Sequence, residues 1–237
     1  MAKKLTVDVW SDIVCPWCAI GDRRLQVALG AFAHRDDVEV VWHAFELDGS
    51  APAAREGDQV EHLARKYGRS VGEARAMIQR VIDVAAKDGL DLQLFRARSG
   101  NTFDGHRLMH FAAERGVHDA MKDRLFRAYM TEGEPIGDRE VLARLAGEVG
   151  LDAAEAREVL ASDRYADEVR EDEEAARRIG ISGVPFFVFG GRLAVSGAQP
   201  AEVLGQALEQ AWSSVPEKAD APGAADEAAV CGPDGCA

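Results

Sequence analysis

The chain has 237 residues, of which 47% are hydrophobic and 29% charged, with a formal net charge of −13. That is the composition of a globular protein able to bury a full core, not of a disordered or membrane-embedded one. So acidic a chain lacks the basic surface that releases counterions from a phosphate backbone, which excludes nucleic acid as the expected partner.

No run of about 18 apolar residues reads as a membrane span, so no membrane partner is expected. Asp8 and Asp12 interrupt the N-terminal apolar stretch, no secretory signal is read, and the expected compartment is cytoplasmic. Four cysteines are too few for a disulfide scaffold. In a reducing compartment they point to redox or metal chemistry. They fall in two pairs, Cys15 with Cys18 and Cys231 with Cys236.

In chain order, Leu5 to Trp10 alternates apolar and polar residues and is rich in β-branched side chains, which predicts a strand. From Pro16 the spacing becomes helical to about Phe32, with proline at the first turn, where it is tolerated. Val38 to Leu47 reads as a second strand. Together these make a βαβ unit with parallel pairing. Residues 55–179 then read as helices only. Ser70 with Glu73 forms a capping box before an apolar stripe that ends at Gly89. Further helices are expected over about 104–115, 119–132, 138–149, 153–161 and 163–179. Asp138, Asp152 and Ser162 are their N-caps, and Gly116, Gly150 and Gly180 their stops. The acidic run Glu171 to Glu174 reads as a solvated helix face, and His43 as a structural strand residue.

After Val184-Pro185, Phe186 to Phe189 and Leu193 to Val195 flank Gly190-Gly191, a hairpin signal. Pro200 opens a last amphipathic helix. Residues 213–237 lack periodicity and read as a flexible tail carrying Cys231-x4-Cys236, whose Gly-Pro-Asp-Gly centre suits a turn. At roughly 5–6 Å times the square root of its length, the linker from Ser213 spans roughly 23 Å, enough to reach Cys15.

The chemistry centres on Cys15-Pro16-Trp17-Cys18. Disulfide exchange needs an attacking thiolate and a resolving thiol within bonding reach, and a three-residue offset on a first helical turn provides both. The helix N-terminus favours thiolate at Cys15, the expected nucleophile, with Cys18 resolving from one turn further in. Half of a zinc site is the competing reading of C-x-x-C, but no metal is assigned. For the tail pair, redox, metal and incidental readings stay open.

These features resemble the DsbA family of thioredoxin-fold proteins, from about Leu5 to Trp212. The carrying features are the strand, the C-P-x-C helix, a second strand, a long helical insertion, then Gly183-Val184-Pro185 before a hairpin and a final helix. Ser11-Asp12, Trp42 to Leu47, Asn101 to Leu108 and Gly197 to Pro200 resemble the FrnE-like branch, related to 2-hydroxychromene-2-carboxylate isomerase and kappa-class glutathione transferase. The resemblance implies an α/β thioredoxin-like fold with a large all-helical insertion between a βαβ and a ββα unit. The thioredoxin-like part is 1–54 with 180–212, and the insertion is 55–179. It implies a cis Pro185 against the redox pair, and a Val184 backbone that pairs with an extended substrate. Pro16, Trp17, Val184 and Pro185 are thus the expected active-site shell, and Asn101 and His106 the candidate substrate groove.

The implied activity is a thiol–disulfide oxidoreductase or isomerase acting on protein or small-molecule disulfides. Its redox-active disulfide needs no other cofactor, and glutathione or another thiol is a candidate electron donor. Because both cysteines are present, dithiol exchange is favoured over the glutathione-dependent isomerase or transferase chemistry of the relatives, which usually carry Ser at the first position. A redox-independent peptide-binding holdase is the alternative outside enzymology. A homodimer is the candidate assembly.

Overall fold

The computed structural model describes residues 3–55 and 57–215. Strand β1 (Leu5–Ser11), helix α1 (Pro16–Ala31) and strand β2 (Val38–Ala44) form the opening unit, with β1 and β2 parallel from Leu5↔Val38 to Ser11↔Ala44. Helices α2 (Gln59–Tyr67), α3 (Val71–Lys87), α4 (Phe103–Glu114), α5 (His118–Arg127), α6 (Arg139–Glu148), α7 (Ala153–Ala161) and α8 (Ala166–Arg178) follow. The chain then returns to the sheet as β3 (Phe186–Phe189), antiparallel to β1, and β4 (Leu193–Ser196), antiparallel to β3, before α9 (Ala201–Ser214). The sheet order is β2-β1-β3-β4. This is the expected α/β thioredoxin-like fold, with its helical segment between the βαβ and ββα units.

Local chemistry explains most boundaries. Ser70 and Glu73 exchange side-chain and backbone hydrogen bonds at the start of α3, and Asp138 and Asp152 accept backbone N–H groups at the starts of α6 and α7. Gly190 and Gly191 have φ of 58° and 67°, the left-handed pair of a tight turn that the Arg192 N–H closes onto the Phe189 carbonyl at 3.2 Å, ahead of the Phe189↔Leu193 pair.

Four expectations need correction. Ser162 is not the N-cap of α8 but the C-cap of α7; α8 starts only at Ala166, after Tyr165 in a left-handed conformation (φ 62°). Strand β2 stops at Ala44 instead of Leu47, because the Leu47 N–H turns to the Asp12 carboxylate, 2.8 Å away. The helix expected to Glu132 is α only to Arg127 and continues as a π-turn over Ala128–Glu132. There the Met130 carbonyl accepts from the Gln93 N–H at 2.7 Å, a long-range bond that no local pattern announces. Within the acidic run, Asp172 points inward, its side chain 12% exposed.

Asp172 ties the helical segment to the sheet. One carboxylate oxygen faces His43 Nδ1 at 2.7 Å; the other accepts from the Ala44 N–H at 2.8 Å and meets His110 Nε2 at 3.0 Å. His43 Nε2 faces Asp8 at 2.9 Å, and its ring stacks on Trp10. Burial opposes the charged imidazole, yet the hydrogen bonds and charges of Asp172 and Asp8 outweigh it and raise His43 to about 9. Burial likewise works against the Asp172 carboxylate, but His110, His43 and the Ala44 N–H hold it well below the usual carboxylate range.

Because the folded His43 value lies above its ordinary 6.5, its stabilisation is complete below about pH 6.5 and is lost as pH rises through about 9. The urea midpoint of the wild type should therefore fall over that window by the equivalent of about 2 kcal/mol, allowing for partial solvation of the ring. His43→Gln should flatten the profile; equal slopes for the two proteins would refute the assignment.

Candidate active site

The redox motif sits where β1 hands over to α1. After Ser11 the chain turns, the Cys15 N–H donating to the Asp12 carbonyl at 3.1 Å. Cys15 then takes the N-cap position with extended backbone, Pro16 opens the helix, and the first turn contains no acidic side chain. The sulfur of Cys15 therefore meets the positive end of the helix without a competing carboxylate in that turn. Both thiols are free and buried, Cys15 at 4% and Cys18 at 1% exposure. Burial pushes the Cys18 thiol up, and the neighbouring Cys15 pushes it further.

The Val184-Pro185 bond is cis and brings the Val184 carbonyl to 3.5 Å from Cys15 Sγ, which donates to it. Residues 169 positions apart in sequence thus meet at the sulfur. The approach depends on Gly21 of α1: a Cβ there would lie 2.9 Å from Pro185 Cγ and 3.1 Å from Phe187 Cζ. Gly21→Val should cost about 1–3 kcal/mol through overpacking, read from the urea midpoint; an unchanged midpoint would show that α1 and the Pro185 loop are not held this closely.

Asp12 is buried beside the motif at 1% exposure. Its carboxylate accepts from the Leu47 N–H and faces His106 Nε2 at 3.4 Å. His106 is itself 1% exposed, and its Nδ1 has no partner among the described residues. The Asn101 side chain donates to Glu46 at 3.1 Å and accepts from the Phe103 N–H at 2.9 Å, which fastens the loop before α4. Burial raises Glu46, against which Arg170 donates at 2.8 Å.

A cavity of about 340 Å³ opens over Cys15. It is within the size range of small-ligand sites. Asp12, Pro16, Trp17 and Val184 form the motif side of its wall, while Gln59 and Tyr129 belong to the opposite, helical side. Trp17 is 40% exposed at this site. Asn101 and His106, the positions expected in a substrate groove, are not on the cavity wall; they stand behind it, supporting Glu46 and Asp12. Tyr129, Gln59 and Arg55 line the cavity and were not singled out by sequence. Tyr129 lies in an apolar helical run, where an aromatic residue reads as core. His62, also in the wall, is lowered by burial and by the positive charges of Arg55, Lys66 and Arg65.

Among the described residues, no cluster of three or more His, Cys, Asp or Glu is placed to hold a metal. Cys231 and Cys236 lie outside the described residues. No helix among the described residues is long and apolar enough to cross a membrane.

A four-stranded β2-β1-β3-β4 sheet, with a C-x-x-C helix facing a cis-proline loop, defines a thioredoxin-like protein. Residues 6–209 match the model of the DSBA-like thioredoxin domain, and the chain belongs to that family. A crystal structure of a probable DsbA oxidoreductase from Streptomyces coelicolor is 46% identical over 98% of both chains, with a TM-score of 0.85. The uncharacterised protein YwbO of Bacillus subtilis is 30% identical over 208 residues, covering 85% of this chain and 94% of its own. The cytosolic disulfide reductase DsbM of Pseudomonas aeruginosa, solved with GSH, is 22% identical, with a TM-score of 0.55, over 88% of this chain and 96% of its own. At that identity the likeness speaks to fold alone.

The two sulfurs differ in access, Cys15 lining the cavity and Cys18 lying behind it with its thiol pushed up by burial. Iodoacetamide at pH 8 should label Cys15 first and leave Cys18 unmodified, and in Cys15→Ser the slow labelling of Cys18 should accelerate with rising pH. Equal labelling of both cysteines, read by mass spectrometry, would contradict the geometry.

Proposed function

We propose that this DsbA-family chain is a thiol–disulfide oxidoreductase in which Cys15 attacks and Cys18 resolves. One observation carries the reading: Cys15 lines the cavity and is hydrogen-bonded to Val184 beside the cis-proline, while Cys18 lies behind it at 1% exposure with its thiol pushed up.

In the reductive direction the Cys15 thiolate attacks one sulfur of a substrate disulfide. A bond forms between the Cys15 sulfur and that sulfur, the substrate S–S bond breaks, and its electron pair leaves on the second substrate sulfur. Cys18 then gives up its proton, which ends on the departed thiolate, and attacks Cys15. The Cys15–Cys18 disulfide forms and the first substrate sulfur leaves as a thiolate. One dithiol and one disulfide thus exchange two electrons, and the reverse sequence oxidises a substrate dithiol. Raising Cys18 by burial keeps it protonated until the mixed disulfide has formed, which separates the two steps.

The substrates are disulfide- or thiol-bearing proteins or small molecules. An extended peptide would lie along Val184 at the edge of the cavity. Glutathione or another thiol is the candidate that resets the pair; the structural neighbour DsbM was solved with GSH.

Insulin reduction by the wild type, Cys15→Ser and Cys18→Ser tests the proposal. The first variant should lose activity by at least about a hundredfold. The second should accumulate a mixed disulfide visible by mass. Undiminished reduction by Cys15→Ser would overturn the role of Cys15, and thiol-independent suppression of insulin aggregation as the sole activity would replace the oxidoreductase with a holdase.

A further inference from the structure

The helical side of the cavity over Cys15 includes a buried phenol. Tyr129 lies in the cavity wall with Cys15 and Asp12, at 2% exposure, and is carried there by the π-turn Ala128–Glu132. Short π-turns within helices are frequent at functional sites. Gln59 Nε2 donates to the Tyr129 oxygen at 3.4 Å, and the Gln59 oxygen accepts from Ser99 Oγ at 3.1 Å. In this arrangement the phenolic hydrogen has no acceptor among the described residues. Burial pushes the phenol up, and the charges of Asp12 and Cys15 push the same way, so the group holds its proton throughout neutral pH.

No hydrogen bond joins Tyr129 to the Cys15 sulfur among the described residues. A disulfide attacked by Cys15 enters this cavity, whose wall includes both Cys15 and Tyr129. Resting on the oxidoreductase reading, we propose that Tyr129 is a further catalytic residue, whose hydroxyl donates a hydrogen bond to the substrate sulfur that departs as Cys15 attacks. The electron pair released by the broken S–S bond is stabilised by the phenolic O–H, which remains on Tyr129. The thiolate takes its proton afterwards, from Cys18.

Such a donor matters in proportion to the basicity of the leaving sulfur. An acidic aryl thiolate leaves readily without help, and an alkyl thiolate leaves poorly. Single-turnover oxidation of the reduced full-length protein should therefore be measured with hydroxyethyl disulfide and with dithiobis-nitrobenzoate. Tyr129→Phe should slow the alkyl reaction about tenfold or more, as expected for a hydrogen bond to a charged acceptor, and the aryl reaction by less than about twofold. Alkylation of Cys15 by iodoacetamide, which expels no thiolate, should be unchanged.

An equal loss on both disulfides, or a parallel loss of alkylation, would assign Tyr129 a structural role and overturn the proposal; so would an unchanged alkyl rate. If Tyr129→Phe fails to fold, Gln59→Leu keeps the question open to test: it should give a smaller loss, about threefold, confined to the alkyl substrate, and a uniform loss would again overturn the proposal. A wild type inert to both disulfides would instead refute the oxidoreductase reading itself.

Discussion

Helix α1 has to be buried on two sides at once, and the rest of the molecule is arranged around that requirement. Ala19 and Ile20 join Cys18 in the large core with Ile78, Leu108, Phe111 and Leu125 of the helical segment. Leu25 and Ala28 belong to a second core, with Leu5, Val7 and Val9 of β1, Phe187 of β3 and Leu204 of α9. Both cysteines of the pair belong to the first of these cores. A third tie comes from the buried pair of Asp22 and Lys122, 2.8 Å apart, which fastens α1 to α5, with the Lys122 ammonium 4.1 Å from the centre of the Trp42 ring. Such a pair adds little net stability relative to an apolar equivalent, but losing one partner strands a buried charge, so it resists displacement of the helix.

A chain with net charge −13 still buries carboxylates around this junction, and each is given a partner from a distant element. Asp12 meets His106 of α4, Glu46 meets Asn101 and Arg170, and Asp172 of α8 meets His43 of β2 and His110 of α4. Because burying an unpaired charge costs several kcal/mol, these partnerships constrain where the helical segment can sit on the sheet. They hold the outer shell, leaving the sulfurs themselves under the influence of the helix end, the cis-proline loop and the cavity.

The sequence was most informative where the chemistry is local. Caps such as Ser70 with Glu73, Asp138 and Asp152, and the Gly190-Gly191 turn, satisfy backbone groups within a few residues, so composition and spacing suffice to place them. The motif Cys15-Pro16-Trp17-Cys18 is legible for the same reason. What could not be read depends on contacts made far along the chain. Ser162 has the composition of an N-cap, yet its carbonyl accepts from Arg107, and the chain runs three residues further before it can turn into α8. The helix α2, capped by Asp58, is short and was anticipated only as part of the helical region. His106 seemed suited to a groove, but Asp12 offers it a buried carboxylate, and that pairing draws it behind the wall.

The same distinction separates the constant part of the site from the part that sets its selectivity. The thiols, the helix end and Pro185 come from the thioredoxin-like elements. The opposite wall comes from the helical segment: Gln59 on α2, Met77 on α3 and Tyr129 on the π-turn. Substitutions there alter the size and polarity of the cavity without touching the sulfurs. The π-turn is held by backbone bonds, from the Gln93 N–H to Met130 and from the Glu134 N–H to Ala128, so side chains within it vary at little cost to its shape. Under the proposed exchange reaction, the reaction centre on the sheet side faces a wall built by the helical segment.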